Sequence, residues 1–137
     1  MSWTDTFPFE PASVPMARRR LTVELRARKI DPERIDDAVL VLSELVGNAL
    51  RHARPLAGGE LQVSWTLYPR ELELAVTDGG APTRPRALHP PVSALGGRGL
   101  SIVGDLSRDW GVRSHEDGHG QEGPTPTTVY AILPLRD

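Results

Sequence analysis

Glu44 and Asn48 lie four residues apart in the stretch Leu40 to Ala53, a spacing that stacks a carboxylate and a carboxamide on one side of an α-helix. Such a pair can orient a hydroxyl or hold a hydrated cation. Read at about 100° per residue, Ala38, Val39, Leu42, Leu45, Val46, Ala49, Leu50 and Ala53 fall on one apolar arc. Glu44 and Asn48 lie opposite that arc, with Arg51 and His52 a turn further on. Leu40 and Val41 flank the polar stripe, which is unusual for a solvated face. An amphipathic helix with an incidental polar pair would look the same, so the stretch alone leaves both readings open.

Other reactive patterns are poorer. His115-Glu116-Asp117-Gly118-His119 matches the H-E-x-x-H zinc signature in letters, but that chemistry needs both imidazoles on one helical face. Here the motif contains Gly118, follows a strand-like segment and runs into Gly120-Gln121-Glu122-Gly123-Pro124. No G-x-x-x-x-G-K-[ST] is present, and the single lysine, Lys29, is far from any glycine loop, which excludes a P-loop. Ser43 and Ser101 have no triad partners at suitable spacing. Gly97-x-Gly99 ahead of a helical pattern offers free N–H groups and a dipole suited to phosphate, but no strand feeds it as in a dinucleotide fold.

The elements that must position these residues follow in order. An edge strand is expected around Trp3 to Phe9, where proline is tolerated. Ser13 then precedes a helix over Met16 to about Lys29 that carries Arg18, Arg19 and Arg20 in its first turns. These charges oppose the helix dipole there and could meet an acidic partner, although a solvated face is the commoner meaning. Asp31, Pro32 and Glu33 form a helix start, with Asp31 as N-cap, so the central helix runs from Pro32 to about His52. Leu61, Val63, Trp65 and Leu67 alternate with polar residues, Tyr68-Pro69-Arg70 turns, and Leu72, Leu74 and Val76 lead to Asp78-Gly79-Gly80. Ala81 to Gly97 is a long proline-rich loop, of the kind that is either a functional lid or simply disordered. Gly99 opens a helix through about Ser107, Trp110 to His115 reads as a strand, Glu116 to Pro126 as a flexible loop, and Thr127 to Leu135 as the last strand. The sum is an α+β sandwich with helices on one face of a mixed sheet.

At 137 residues with a net charge of −2, the chain is expected to be a single domain, 1–137, with no global field for nucleic acid or an anionic membrane. It has no cysteine, which excludes disulfides and thiolate metal sites and fits a reducing compartment. Nothing resembles a membrane span, and Met1 to Glu10 lacks the basic start and apolar core of a signal peptide, so a cytoplasmic protein is expected.

Three segments together carry a resemblance. Glu44-Leu-Val-Gly-Asn48-Ala-Leu-Arg-His52 resembles the N-box of the ATPases shared by gyrase, heat-shock chaperones, histidine kinases and mismatch-repair proteins. Asp78-Gly79-Gly80 at a strand end resembles their first glycine box, and Gly96-Gly97-Arg98-Gly99-Leu100 opening a helix their second. Order and spacing match over roughly residues 10 to 135. Within this GHKL superfamily the chain looks most like the anti-sigma-factor serine/threonine kinases. The resemblance implies the Bergerat ATP-binding fold: a two-layer α/β sandwich whose mixed, mostly antiparallel sheet is covered on one face by about three helices. An N-terminal edge strand (1–15), an ATP lid (81–97) and a flexible loop (116–126) belong to that layout.

The resemblance also implies roles. Asn48 would give its carboxamide oxygen to Mg²⁺ beside the ATP phosphates, and Glu44 would be the general base. Asp78 would accept from the adenine amino group, Gly80 would admit the backbone to the ring, and Thr128 would sit near the adenine. Gly97 and Gly99, with Arg98 and Leu100 at the helix start, would cradle phosphates, and His52 lies at the end of the N-box. The implied function is transfer of the ATP γ-phosphate to a Ser or Thr of an anti-sigma-factor antagonist of the STAS type, with control of a sigma factor. A possible homodimer, with no direct nucleic-acid or membrane contact, goes with it. The alternative is a regulatory module that binds nucleotide weakly or not at all and acts by protein–protein contact. Three departures stand out: Pro82 where the first box usually has a second glycine, a proline-rich lid from Pro82 to Leu95, and the insertion His115 to Pro126.

Overall fold

The computed structural model describes residues 1–80, 98–114 and 125–135, with only the backbone of residues 98–100. The lid segment with Pro82 and Gly97, the H-E-x-x-H pattern and most of the 116–126 loop lie outside the described residues.

Eight elements follow in chain order: β1 (Ser2–Pro8), α1 (Ser13–Ala27), α2 (Pro32–His52), β2 (Glu60–Leu67), β3 (Glu71–Asp78), α3 (Arg98–Leu106), β4 (Asp109–Ser114) and β5 (Thr127–Pro134). The strands form one sheet in the order β1-β2-β3-β5-β4. All four pairings are antiparallel, so the expected α+β sandwich is realised with an antiparallel rather than a mixed sheet. β1 lies at the edge of the sheet, where its single proline, Pro8 at the strand end, is tolerated.

Alternation decides which face each strand buries. In β2, Leu61, Val63 and Trp65 are buried while Gln62, Ser64 and Thr66 remain partly exposed. Val63 pairs with Val76 and Trp65 with Leu74, so the apolar sets align across strands. α2 packs against α1 on one side and α3 on the other, and lies over β3 and β5. Asp31 caps its first turn, accepting from the Glu33 N–H at 2.9 Å, with Pro32 at the first helical position.

Two local expectations need correction. α1 begins at Ser13, not Met16, because backbone turns from Glu10 and Pro11 start it directly, and the Ser13 hydroxyl donates to the Pro8 carbonyl inside the structure instead of capping. Val41 does not flank a polar stripe: it is fully buried, and the covered face of α2 is wider than the sequence arc, taking in Val41 and Asn48 as well. Helices on both sides of α2 cover what one sheet would leave open. α1 ends with Lys29 at φ 58°, and the Ile30 N–H reaches back to the Leu25 carbonyl at 3.2 Å, an αL closure normally given to glycine.

Leu42 is completely buried under α2, and its truncation to Ala is expected to cost about 2–5 kcal/mol. Asp31→Ala, which removes only a cap, is expected to cost about 1 kcal/mol. Urea unfolding of the two variants should show that ordering; equal losses would mean that α2 is not the packed centre of the fold.

Candidate functional site

The candidate site is built on the C-terminal half of α2 and the end of β3, which pack together. Glu44 is half-buried in α2. Asn48, one turn on, is buried, and its side-chain oxygen Oδ1 is out of water with no hydrogen-bond partner among the described residues. Leaving such an acceptor unmatched costs about 1–3 kcal/mol. A hard cation that takes oxygen ligands, Mg²⁺ among them, would satisfy it, so the residues present fit the implied metal. His52, the last residue of α2, is exposed.

Asp78 ends β3 at 4% exposure. Its Oδ1 accepts from the Gly80 N–H at 2.7 Å, and Gly80 takes φ 100°, a backbone conformation that glycine adopts without cost. Burial pushes the Asp78 carboxyl up to about 6, and the Gly80 hydrogen bond only partly offsets it. A desolvated acceptor of this kind is suited to an amino group brought by a ligand. It is costly while none is there.

Thr128 is not beside Asp78. It pairs in register with Thr77, and the two hydroxyls meet at 2.6 Å on the sheet face turned away from the helices. The residue opposite Asp78 is Thr127, which is buried and whose hydroxyl donates to the Thr125 carbonyl at 3.2 Å. Adjacent threonines point to opposite faces of a strand, so a one-residue difference in register decides between them. The sequence alone carried no signal for that choice, whereas counting back in twos from buried Val129 and Ala131 favours Thr127.

α3 begins at Arg98, one residue before the expected Gly99, so Arg98, Gly99 and Leu100 form its first turn. Gly97, directly before it, lies outside the described residues. The structure thus brings together Asn48, Glu44 and Asp78 through α2 and β3, with α3 beside α2, and separates Thr128 from them. Among the described residues no cluster of His, Cys, Asp and Glu is arranged to hold a metal on its own. Asn48 would need oxygen ligands from the phosphates to complete a shell.

Comparison with known proteins gives the family and the fold. The sequence model of the histidine kinase-like ATPase domain matches residues 7–122. The chain belongs to the histidine kinase-like ATPase family. Among curated relatives, the serine-protein kinase RsbW of Listeria monocytogenes serovar 1/2a is 27% identical over 114 residues, covering 74% of this chain and 73% of that protein. The RsbW of Listeria innocua serovar 6a matches to the same extent. Among solved structures, the RsbU and RsbW domains of a Mycobacterium tuberculosis protein superpose with a TM-score of 0.69 at 19% identity, over all of this chain but only 33% of that one. A chain of the Pseudomonas aeruginosa SiaB–SiaC complex superposes with a TM-score of 0.66 at 12% identity, over 96% and 89% of the two chains. At those identities the structures establish the fold, an ATPase-family α+β sandwich shared with RsbW-like domains.

The raised Asp78 carboxyl makes a stability prediction. Its folded value, about 6, lies above the ordinary 3.8, so ionising it costs folding stability. That cost is absent below about pH 4, grows as pH rises to 6, and stays in full above. Asp78→Asn, which keeps an acceptor for the Gly80 N–H, should therefore stabilise the ligand-free protein by up to about 2–3 kcal/mol at pH 7.5 and by nothing at pH 4. Denaturant midpoints at the two pH values measure it; a gain independent of pH would disprove desolvation as the cause.

Proposed function

We propose that the chain is an ATP-dependent serine/threonine protein kinase of the anti-sigma-factor type. It would bind Mg·ATP as a single histidine kinase-like ATPase domain and phosphorylate a Ser or Thr of an anti-sigma-factor antagonist with a STAS-type fold. Through that exchange it would regulate a sigma factor in the cytoplasm, working as a homodimer. The observation that carries this reading is the buried Asn48 Oδ1, without a hydrogen-bond partner among the described residues, one helical turn from Glu44. That pairing joins a site for the phosphate-bound cation to a base within the same short stretch. The curated RsbW relatives, themselves serine-protein kinases, support the class of reaction.

In this reading Asp78 accepts from the adenine amino group, with Thr127 as its neighbour across the strands in place of Thr128. Asn48 Oδ1 would hold Mg²⁺, whose positive charge would offset the negative charge of the phosphates. The first turn of α3, Arg98, Gly99 and Leu100, would offer helix N-terminal N–H groups to phosphate oxygens, and Gly97 is proposed to join them. Glu44 accepts the proton of the incoming hydroxyl, whose oxygen forms a bond to the γ-phosphorus. The bond from that phosphorus to the bridging oxygen breaks, and ADP leaves with the electron pair.

The two α2 residues should separate in kinetics. Asn48 serves bound ATP and the transition state alike, so Asn48→Ala should weaken Mg·ATP binding and slow transfer together. Glu44 meets mainly the attacking hydroxyl. Glu44→Ala should bind Mg·ATP within a few-fold of wild type and lose transfer to the antagonist by about 10²–10⁴-fold. Calorimetric titration and phosphate-transfer assays read the two effects. Normal transfer by Glu44→Ala removes it as base, and a wild type that binds ATP yet transfers to no antagonist leaves a regulatory binder instead of a kinase.

The arginine cluster divides in the structure. Arg20 lies over the Trp3 ring at 5.0 Å, Trp3 stacks on Trp65 at 3.9 Å, and Glu24 sits 3.9 Å from Arg20. Arg18 and Arg19 are exposed, and their side chains form no ion pair among the described residues. If these two meet an acidic protein partner, wild-type association should slow as salt rises, and the double reversal Arg18→Glu/Arg19→Glu should abolish partner binding while leaving ATP binding intact. Unchanged partner affinity would return both arginines to a solvated face.

A further inference from the structure

Two glycines follow Asp78, and only one is required by its own backbone angles. Gly80 has a positive φ; Gly79 does not. What Gly79 has is a neighbour. A Cβ placed there would collide with the Pro55 carbonyl oxygen and lie 2.8 Å from its carbon and 3.0 Å from the Arg54 oxygen. The approach is held by two backbone hydrogen bonds: the Gly79 N–H donates to the Arg54 carbonyl at 2.7 Å, and the Arg54 N–H donates to the Gly80 carbonyl at 2.9 Å. Arg54 and Pro55 lead directly out of α2, whose last internal bond runs from the Ala53 N–H to the Ala49 carbonyl.

We propose that this backbone clasp aims the Asp78 carboxylate at the base, which makes Gly79 a positioning residue for adenine recognition. The proposal rests on the reading of Asp78 given above. The two outer peptides of the glycine pair are pinned to Arg54, and the peptide between them gives its N–H to Asp78 Oδ1. The carboxylate is therefore oriented before any nucleotide arrives. Pro55 stiffens the strut, since its ring fixes φ and it has no N–H to offer to a competing bond. Because the strut continues from α2, the base-reading end is tied through backbone alone to the helix that carries Asn48. Preorganisation of this kind lowers the cost of ordering on binding, and it contributes most to the interaction that depends on direction.

Gly79→Ala pushes the clasp apart. Arg54→Pro is milder: it removes one N–H donor and an exposed side chain, and it follows Ala53, whose extended φ −112°, ψ 178° suits a residue before proline. Titration of wild type and both variants with Mg·ATP and Mg·GTP gives the readout, with thermal unfolding alongside. Val63→Ala, a core truncation in β2, is the control for general loosening. Wild type should prefer ATP by tenfold or more, Gly79→Ala should fall to within about threefold, Arg54→Pro should lie between, and Val63→Ala should keep the full preference. If Gly79→Ala fails to fold, Arg54→Pro decides alone. Folded variants that keep the wild-type preference overturn the clasp while leaving Asp78 as the reader. A wild type without preference overturns the reading of Asp78, and the role of the clasp with it.

Discussion

Burial of one helix on three sides is the constraint from which the rest of the structure follows. α2 contacts α1, α3 and the strands β3 and β5, and its Val41, Leu42, Leu45 and Val46 are almost wholly shielded from water. Each such side chain contributes about 1.5–3 kcal/mol on burial. That surplus is what lets the same helix carry Asn48 into the interior with its Oδ1 unmatched among the described residues, and Glu44 to its margin. A helix lying on the sheet alone would have left its flank, and Asn48 with it, in solvent. Water would then have satisfied the carboxamide, and the site would have lost its reason to take a cation.

The functional residues are costly ones. Asn48 has an unmatched oxygen, Asp78 a carboxylate taken out of water, and Gly79 and Gly80 have given up side chains for a close backbone approach and a positive φ. These costs fall at the end of α2 and the end of β3, while most of the described core is apolar; Ser13, Thr127 and the unmatched Ser107 hydroxyl are buried polar groups apart from those four residues. Local costs gathered in one place are what a ligand can relieve, and relieving them favours binding there over elsewhere.

The sheet has two unlike faces. The one under the helices holds the core. The other carries hydroxyls and paired charges: Thr77 against Thr128, Ser2 against Thr66, and Arg113 lying 4.0 Å over the Tyr130 ring while bonding Glu73 at 3.2 Å. Such a face tolerates water, so only the helical face can hold the desolvated carboxylate that gives Asp78 its character.

Much of this was legible in the sequence, because it is written in local chemistry. Asp31-Pro32 with the apolar period that follows specified α2 to the residue, alternation specified β2 and β3, and Asp78-Gly79-Gly80 marked where the second ended. These signals depend on neighbours a few residues away, which any reading of the chain contains. Tertiary structure decided the rest. Val41 and Asn48 are buried because α1 and α3 close over the flanks of α2, an outcome that no period within α2 encodes. Thr127 rather than Thr128 faces the helical side because strand pairing fixes the parity of β5, and a one-residue slip exchanges the two. Gly79 is glycine because of Arg54 and Pro55, some twenty-five residues away, whose backbone arrives only when α2 and β3 dock. Short-range patterns fix what an element is; which atoms meet across elements is set by packing, and that is where the candidate site acquires its chemistry.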